Sequence, residues 1–240
     1  MLLGPSLKMY NVELKAIENE RQVLKIPFLK LRPKLFSMLG AVKKVGISAE
    51  LLEGELSGTV GAGATGSMHV DLSIDSIDLG ATNLMKKFLP VDLTAKLDGK
   101  VQLELDGETP TKSDGLLKLK IDKLALPAQS VMGLPLSKVN VSEARINVVL
   151  SNGKIEFREF EVGKDGKGDD IVGKLTGDGT LNKYLDRSSV NLKALFSISQ
   201  GVKNSLGILA GMLTPAQTPD GKYAYRISGP LSGLEAMPGQ

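Results

Sequence analysis

Hydrophobic and polar residues alternate along most of the chain with a period of two. Such alternation places every second side chain on one face of a β-strand. From Met68 to Ile74, Met, Val, Leu and Ile lie on one face, with His, Asp and Ser between them. The same pattern predicts strands at Val45 to Leu51, Leu56 to Val60, Met68 to Ile74, Val91 to Leu105, Leu117 to Leu126, Val139 to Leu150, Lys154 to Val162, Ile171 to Leu181, Val190 to Ile198 and Tyr223 to Leu231.

These strands predict a mainly β protein with one long, curved antiparallel sheet and one aliphatic face. The longest segment, Val91 to Leu105, would span about 50 Å, and we expect Gly99 to bend it. Turn sequences such as Ser151-Asn152-Gly153 and Pro219-Asp220-Gly221 separate the strands. The side chains expected to point into the apolar interior are Val70, Leu72, Leu93, Leu103, Ile146, Val148, Leu192 and Phe196.

Three short segments break the alternation and are predicted to be helices: Pro33 to Ala41, Thr82 to Leu89, and about Val202 to Leu213. Leu35, Met38 and Leu39 form one apolar face of the first segment. We expect these helices to cover the apolar face or an open end of the sheet. The alternative is that they contact a membrane or a partner helix.

We expect residues 1–240 to form a single β-rich domain. Residues 106–115 are the best candidate for a weak subdivision, although their sequence also suits a long hairpin loop. No stretch reaches the roughly 18 apolar residues that a membrane-spanning helix needs. Because the chain starts on a strand-like segment, an upstream membrane anchor is an open alternative.

The amino-acid composition limits the kinds of catalytic and metal-binding chemistry that the protein could perform. Hydrophobic residues make up 42% of the chain but aromatic residues only 4%, so the apolar interior must be aliphatic. The absence of cysteine excludes thiol catalysis, cysteine-ligated zinc and disulfides, and a single histidine, His69, limits acid/base and metal chemistry.

Charge is unevenly distributed along the chain. The net charge of +3 is too small to indicate a nucleic-acid partner. Residues 1–50, however, hold nine Lys or Arg against four Glu. This excess is either an ordinary solvated surface or a contact with anionic lipid headgroups.

Three motifs were tested for chemistry. Gly61 to Gly66 matches the dinucleotide fingerprint G-x-G-x-x-G, but a strand follows where that fingerprint needs a helix, so a hairpin loop is predicted. His69 and Asp71 share the polar face of one strand, and Asp165 to Asp170 resembles a calcium loop without its terminal Glu. We interpret the His69 and Asp71 pair as part of a solvated strand face, and the Asp165 to Asp170 segment as a charged hairpin turn. We therefore expect no enzyme activity, no cofactor, and no catalytic or metal site.

Two segments resemble known envelope proteins. Residues 24–61 are similar to the strand, short helix, strand, Gly-turn, strand unit of AsmA-like proteins. Residues 195–239 resemble the closing segment of GspN-type type II secretion proteins, in which a helix rich in small residues precedes a Tyr-containing strand and a Gly-Pro-Leu-Ser-Gly-like turn. The resemblance implies a partly closed or U-shaped sheet in the periplasm, tethered to the inner membrane by an N-terminal helix that this sequence does not contain.

The resemblance implies two alternative functions and no catalytic residues. The first is a scaffold or assembly component of the type II secretion apparatus that contacts the secretin or the inner-membrane platform. The second is an AsmA-like lipid-binding or lipid-transfer module with an apolar groove. The two are distinguished by whether the apolar face is covered by the protein's own helices, such as Val202 to Leu213, and we expect it to be covered because soluble monomers rarely expose so large an apolar surface.

Overall fold

The computed structural model describes residues 5–16, 19–81, 91–131 and 134–239. Thirteen strands form one antiparallel sheet in which neighbours in sequence are neighbours in space, apart from one small excursion. The strands are β1 (Leu7–Ala16), β2 (Asn19–Pro33), β3 (Val42–Leu51), β4 (Gly54–Gly63), β5 (Met68–Asp78), β6 (Thr94–Leu105), β7 (Asp114–Leu126), β8 (Gln129–Val131), β9 (Leu134–Leu136), β10 (Val139–Ser151), β11 (Lys154–Val162), β12 (Ile171–Thr180), β13 (Ser189–Ile198), β14 (Tyr223–Pro230) and β15 (Glu235–Pro238).

The excursion is β8 and β9, which pair only with each other and lie between β7 and β10. The predicted fold class, mainly β with one large antiparallel sheet and few short helices, is confirmed. β1 and β15 are the first and last strands of the order, and within the described residues each pairs with one neighbour. Of residues 106–115, the first eight form the connection between β6 and β7 and the last two begin β7; these two strands are paired in the same sheet.

Each predicted strand overlaps a strand of the structure, although several bounds differ by up to four residues. The strand expected from Val91 begins at Thr94. The backbone N–H of Asp92 donates to Gln129 Oε1 at 2.7 Å, and Gln129 Nε2 donates to the Asp92 carbonyl at 2.8 Å. A side chain therefore satisfies the backbone groups that a neighbouring strand would otherwise pair with, and the ladder starts two residues later.

A left-handed residue keeps the aliphatic side chains on one face of β7. The apolar-face residues Leu117, Leu119 and Ile121 are at odd positions, whereas Leu124 and Leu126 are at even positions. Lys123, between them, has a φ of 55°. Such a residue interrupts the two-residue alternation, so the side chains before and after it can stay on the same face although their positions change from odd to even. Leu124 therefore lies opposite Val141 and packs against the same apolar cluster.

Since successive strands run in opposite directions, their connections fall at two ends of the sheet. We call one the α1 end, because it carries the helix α1 (Gln200–Leu206) and the 3-10 helix Gly207–Ala216 between β13 and β14. We call the other the tip end. It carries the connections β2–β3, β4–β5, β6–β7, β10–β11, β12–β13 and β14–β15.

The helix α1 covers the aliphatic face at its own end of the sheet. Val202 is 5% exposed and packs with Val139 and Val141 of β10 in the buried hydrophobic cluster of the structure. Ser199 caps the helix, since its Oγ accepts from the Val202 N–H at 3.3 Å and donates to Asp170 Oδ1 at 2.7 Å. This part of the predicted cover is therefore present.

The predicted helix at Pro33 to Ala41 does not cover the sheet. Pro33 is the last residue of β2, and a 3-10 turn at Leu35–Leu39 replaces the expected helix. No residue of this turn is buried, and Phe36 and Leu39 are 96% and 92% exposed. The turn connects β2 to β3 beyond the ends of the strands, where no sheet face lies beneath it. The predicted helix Thr82 to Leu89 lies outside the described residues, as do the side chains of Ile208, Leu209 and Met212.

Seven of the eight predicted interior residues lie in strands, on the apolar face, and Leu93 lies just before β6. Leu192 is 8% exposed, and the other seven are half-buried rather than exposed, so the predicted register is correct. The accessible surface of the protein is 14961 Å². A compact monomer of this mass would expose about 10,400 Å². The excess indicates a sheet whose faces are not packed against a second layer along their whole length.

Candidate functional site

The most distinctive feature of the structure is a row of apolar positions that crosses all thirteen strands. Each member of the row lies directly opposite the next across a strand pair, so all share one face of the sheet. From β1 to β15, the row consists of Leu7, Leu31, Ile47, Gly58, Leu72, Val101, Leu117, Val148, Phe157, Gly177, Leu192, Ile227 and Ala236. We call it the central row.

A second apolar row runs beside the central row on the side of the tip end. We call it the outer row. From β2 to β14, it consists of Pro33, Val45, Val60, Val70, Leu103, Gly115, Leu150, Ile155, Gly179, Val190 and Gly229. On the other side of the central row, the inner row runs from β1 to β11 through Met9, Leu29, Ala49, Leu56, Ile74, Gly99, Leu119, Ile146 and Phe160. None of these positions carries a charged or hydrogen-bonding side chain.

The three rows form a continuous aliphatic track. Neighbouring strands lie about 4.8 Å apart, so twelve strand-to-strand steps give the central row a length of about 57 Å along the sheet. Rows two residues apart are separated by about 6.7 Å. The track is therefore long and narrow, and its long axis runs across the strands.

Most of the track is accessible. Leu72, Val101, Leu117 and Val148, in the middle of the central row, are all half-buried. The buried cluster around α1 contains none of these four residues. The expectation that short helices cover the whole face is therefore not met by the described residues, in which α1 covers one end of the track.

Two glycines leave notches in the central row beside large side chains. Gly58 lies between Ile47 and Leu72, and Gly177 lies between Phe157 and Leu192. Their φ angles are 149° and 147°, in the region that favours glycine. A Cβ at Gly177 would lie 2.1 Å from the carbonyl oxygen of Asn191. The backbone at these two positions therefore requires glycine.

The opposite face of the sheet is polar and held by ion pairs. Glu143 accepts from Lys164 Nζ at 2.9 Å and also from Arg145 Nε. The hydrogen bond from Lys164 and the one from Arg145 together hold the pKa of Glu143 below its ordinary value. Open clefts on this face have charged linings; one of about 530 Å³ is bordered by Glu161, Lys174 and residues around them. Charged walls of this kind do not favour an apolar ligand.

The residues that could suggest metal or nucleotide chemistry take part in strand pairing and in contacts between strands. His69 Nδ1 pairs with Glu104 Oε1 on the neighbouring strand. Gly61 and Gly63 belong to β4, and a turn leads from them directly into β5, so the predicted hairpin is confirmed. Within the described ranges, no group of three or more His, Cys, Asp or Glu side chains could hold a metal ion.

The Asp165 to Asp170 segment is the predicted charged turn, and its last two carboxylates fasten the α1 end. Asp169 accepts from the Ser142 N–H and Oγ, each at 2.7 Å. Asp170 accepts from the Asn140 N–H at 2.8 Å as well as from Ser199. The hydrogen bond from Ser199 and that from Asn140 hold the pKa of Asp170 below its ordinary value, which identifies this carboxylate as a structural anion.

The helices within the described part of the chain are all too short or too polar to cross a bilayer. Comparison of the chain with protein-family models, with curated proteins and with solved structures gives no match.

Proposed function

We propose that the aliphatic track binds the acyl chains of lipids, and that the protein is a non-enzymatic lipid-binding or lipid-transfer module. The observation that carries the proposal is the central row, which crosses thirteen strands without a polar side chain and is only half-buried in its middle. A soluble monomer usually exposes apolar patches of no more than a few hundred Å². An apolar ligand would remove this surface from water.

The shape of the track suits an extended hydrocarbon. Each methylene removed from water contributes about 0.8 kcal/mol, so a chain of sixteen carbons would gain about 13 kcal/mol before the costs of association. The costs of association are of order 4 to 15 kcal/mol, so they offset most of this gain and binding would be reversible. Because the rows lack hydrogen-bonding side chains, such a site would select for hydrocarbon and not for a particular headgroup.

A second candidate function is the predicted scaffold of the type II secretion apparatus, with the secretin or inner-membrane platform as partner. One observation favours it. Within the described residues β1 pairs only with β2, and Tyr10 on β1 is 66% exposed. A free strand edge of this kind suits addition of a strand from another protein. The periplasmic location and the tether to the inner membrane belong to both proposals.

A fluorescent fatty acid tests the lipid proposal. Leu117→Glu places a carboxylate in the middle of the central row, whereas Lys118→Glu places the same group on the polar face of the same strand. We expect the wild-type protein and K118E to bind the probe and L117E to lose at least about ten-fold in affinity, since a carboxylate is costly to bury without a partner. Far-UV circular dichroism checks that both variants fold. Absence of binding by the wild-type protein, or equal binding by L117E, would contradict the proposal.

A further inference from the structure

Exposed hydrophobic side chains concentrate at the tip end of the sheet. The first tip is the β2–β3 connection, with Leu35 at 54%, Phe36 at 96%, Met38 at 36% and Leu39 at 92% exposure. The second tip is formed by the β12–β13 and β14–β15 connections, with Tyr184 at 58%, Leu185 at 66%, Leu231 at 43% and Leu234 at 49%. Among the described residues, no connection at the α1 end carries a large hydrophobic side chain of comparable exposure.

Hydrogen bonds hold the first tip in an ordered turn. Ser37 Oγ donates to the Lys34 carbonyl at 2.6 Å and accepts from the Lys44 N–H at 2.8 Å. The Lys34 N–H donates to the Lys44 carbonyl at 3.0 Å, and Lys43 Nζ donates to the Gly40 carbonyl at 2.8 Å. The turn therefore satisfies its own polar groups while its apolar side chains face solvent.

The second tip is also ordered. The Leu231 N–H donates to the Ser188 carbonyl at 2.8 Å, and the Ser232 N–H donates to the Asp186 carbonyl at 2.9 Å. These bonds join the β12–β13 and β14–β15 connections into one surface. The Arg187 guanidinium lies 5.0 Å from the centre of the Tyr184 ring, so a cation borders this apolar surface as well.

The segment that forms the first tip carries an excess of positive charge, and one of its lysines, Lys44, lies 3.8 Å from the Glu104 carboxylate of β6. Residues 21–49, which include the tip and most of the two strands that carry it, contain seven Lys or Arg and no Asp or Glu. A contact between soluble proteins usually mixes both signs at its polar rim. Exposed apolar side chains on a segment whose own charged residues are all cations match instead an anionic lipid surface, which has charged headgroups outside and hydrocarbon beneath.

We propose that the tip end docks on a membrane surface with anionic headgroups, with Phe36 and Leu39 entering the hydrocarbon boundary and the surrounding lysines and arginines contacting the headgroups. Docking would place the outer row next to the bilayer, because that row is the nearest to the tip end. The inference does not rest on lipid binding by the aliphatic track. A protein that only docks, and carries no lipid, would show the same two tips.

Tryptophan fluorescence tests the docking, because the chain contains no Trp. Phe36→Trp places the probe at the first tip, and Tyr10→Trp places it at an exposed aromatic position in the middle of β1. Each variant is mixed with vesicles of phosphatidylcholine alone or of phosphatidylcholine with an equal amount of phosphatidylglycerol. We expect a blue shift for F36W on the anionic vesicles, weakened by added salt, and none for Y10W. No shift for F36W, or the same shift for both variants, would overturn the proposal.

Vesicle flotation gives the second readout. The double variant Phe36→Ser with Leu39→Ser should lose about ten-fold or more of its partition to anionic vesicles, because both side chains are almost fully exposed and their apolar surface drives insertion. Lys34→Glu should lose several-fold. Tyr10→Ser, at an exposed position outside both tips, should float like the wild-type protein. Flotation of the double variant equal to that of the wild-type protein, or an equal loss in Tyr10→Ser, would overturn the proposal, since vesicle binding would then not depend on the exposed side chains of the tip.

Discussion

A matched pair of valine truncations in one strand tests whether the aliphatic track is uncovered. Val141 and Val148 both lie on the aliphatic face of β10 although they are seven residues apart, because the two-residue alternation is interrupted between them, opposite Lys123 of β7. Val141 is 2% exposed in the cluster beneath α1, whereas Val148 is a half-buried member of the central row. Replacing each by Ala removes the same two methyl groups, so a difference in stability reports the difference in surroundings.

The expected magnitudes follow from burial. For Val141→Ala, two methyl groups at about 0.8 kcal/mol each, with a cavity beneath α1, predict a loss of about 2 kcal/mol in the free energy of unfolding. For Val148→Ala, the lost methyl groups already face solvent on one side and no enclosed cavity forms. We therefore expect a loss of less than about 1 kcal/mol.

Urea unfolding followed by circular dichroism measures both values. Purified protein should first be delipidated, because a bound acyl chain would bury Val148 and stabilise the folded state by mass action. Adding lipid back should then widen the effect of V148A and leave that of V141A unchanged. Equal losses of about 2 kcal/mol in the delipidated protein would refute the conclusion that the middle of the track is exposed.

Three further predictions concern the supports of the sheet. Gly177→Ala should cost about 1 to 3 kcal/mol because its φ of 147° and the nearby Asn191 carbonyl exclude a Cβ; Gly166→Ala, at a φ of 77° in an open turn, should cost less, and urea unfolding of both compares them. Ser199→Ala should cost about 1 kcal/mol by removing the cap of α1, with Ser205→Ala as the control inside the helix, measured as a shift in thermal midpoint. The pKa of Asp170 is lower when folded than when unfolded, so its contribution is present above the ordinary pKa of about 3.9 and is lost as pH falls through the lower folded value. The difference in stability between wild type and Asp170→Asn should therefore shrink in acid, and a difference that grows below pH 4 would contradict this sign.

The faces of the strands could be predicted from the sequence, whereas the strand partners could not. Alternation in β5 and β6 places Leu72 and Val101 on an apolar face, but nothing in either segment alone says that the two lie opposite each other. That pairing depends on the length of each connection and on bulges. The continuous central row, which is the candidate site, therefore emerges only when all the registers are known.

Two other features, the full length of β2 and the exposure of the first tip, could not be predicted from the sequence. In β2, hydrophobic residues at both Phe28 and Leu29 interrupt the period of two around Pro27, which conceals a strand of fifteen residues. At the first tip, Leu35, Met38 and Leu39 have the spacing of an amphipathic helix, so the pattern favours a covering helix. Exposure of these side chains depends on where the sheet ends, which residue spacing does not encode.

The resemblance to AsmA-like and GspN-type proteins stays a prediction, because no compared family, protein or structure matches the chain. The two functions that it implied make different demands on the apolar face. A scaffold needs that face to be covered, and a lipid carrier needs it to be accessible. The middle of the central row is only half-buried, which supports the second of these, and the free edge of β1 supports the first.

Lipid analysis of the native protein is the most direct test of the proposed function. The protein, purified from its own cells without detergent, is extracted with organic solvent, and phospholipid in the extract is quantified by mass spectrometry against the amount of protein. The account predicts phospholipid or fatty acid in near-stoichiometric or greater amount, and a clear reduction for L117E but not for K118E. Only trace lipid in the wild-type extract would contradict it.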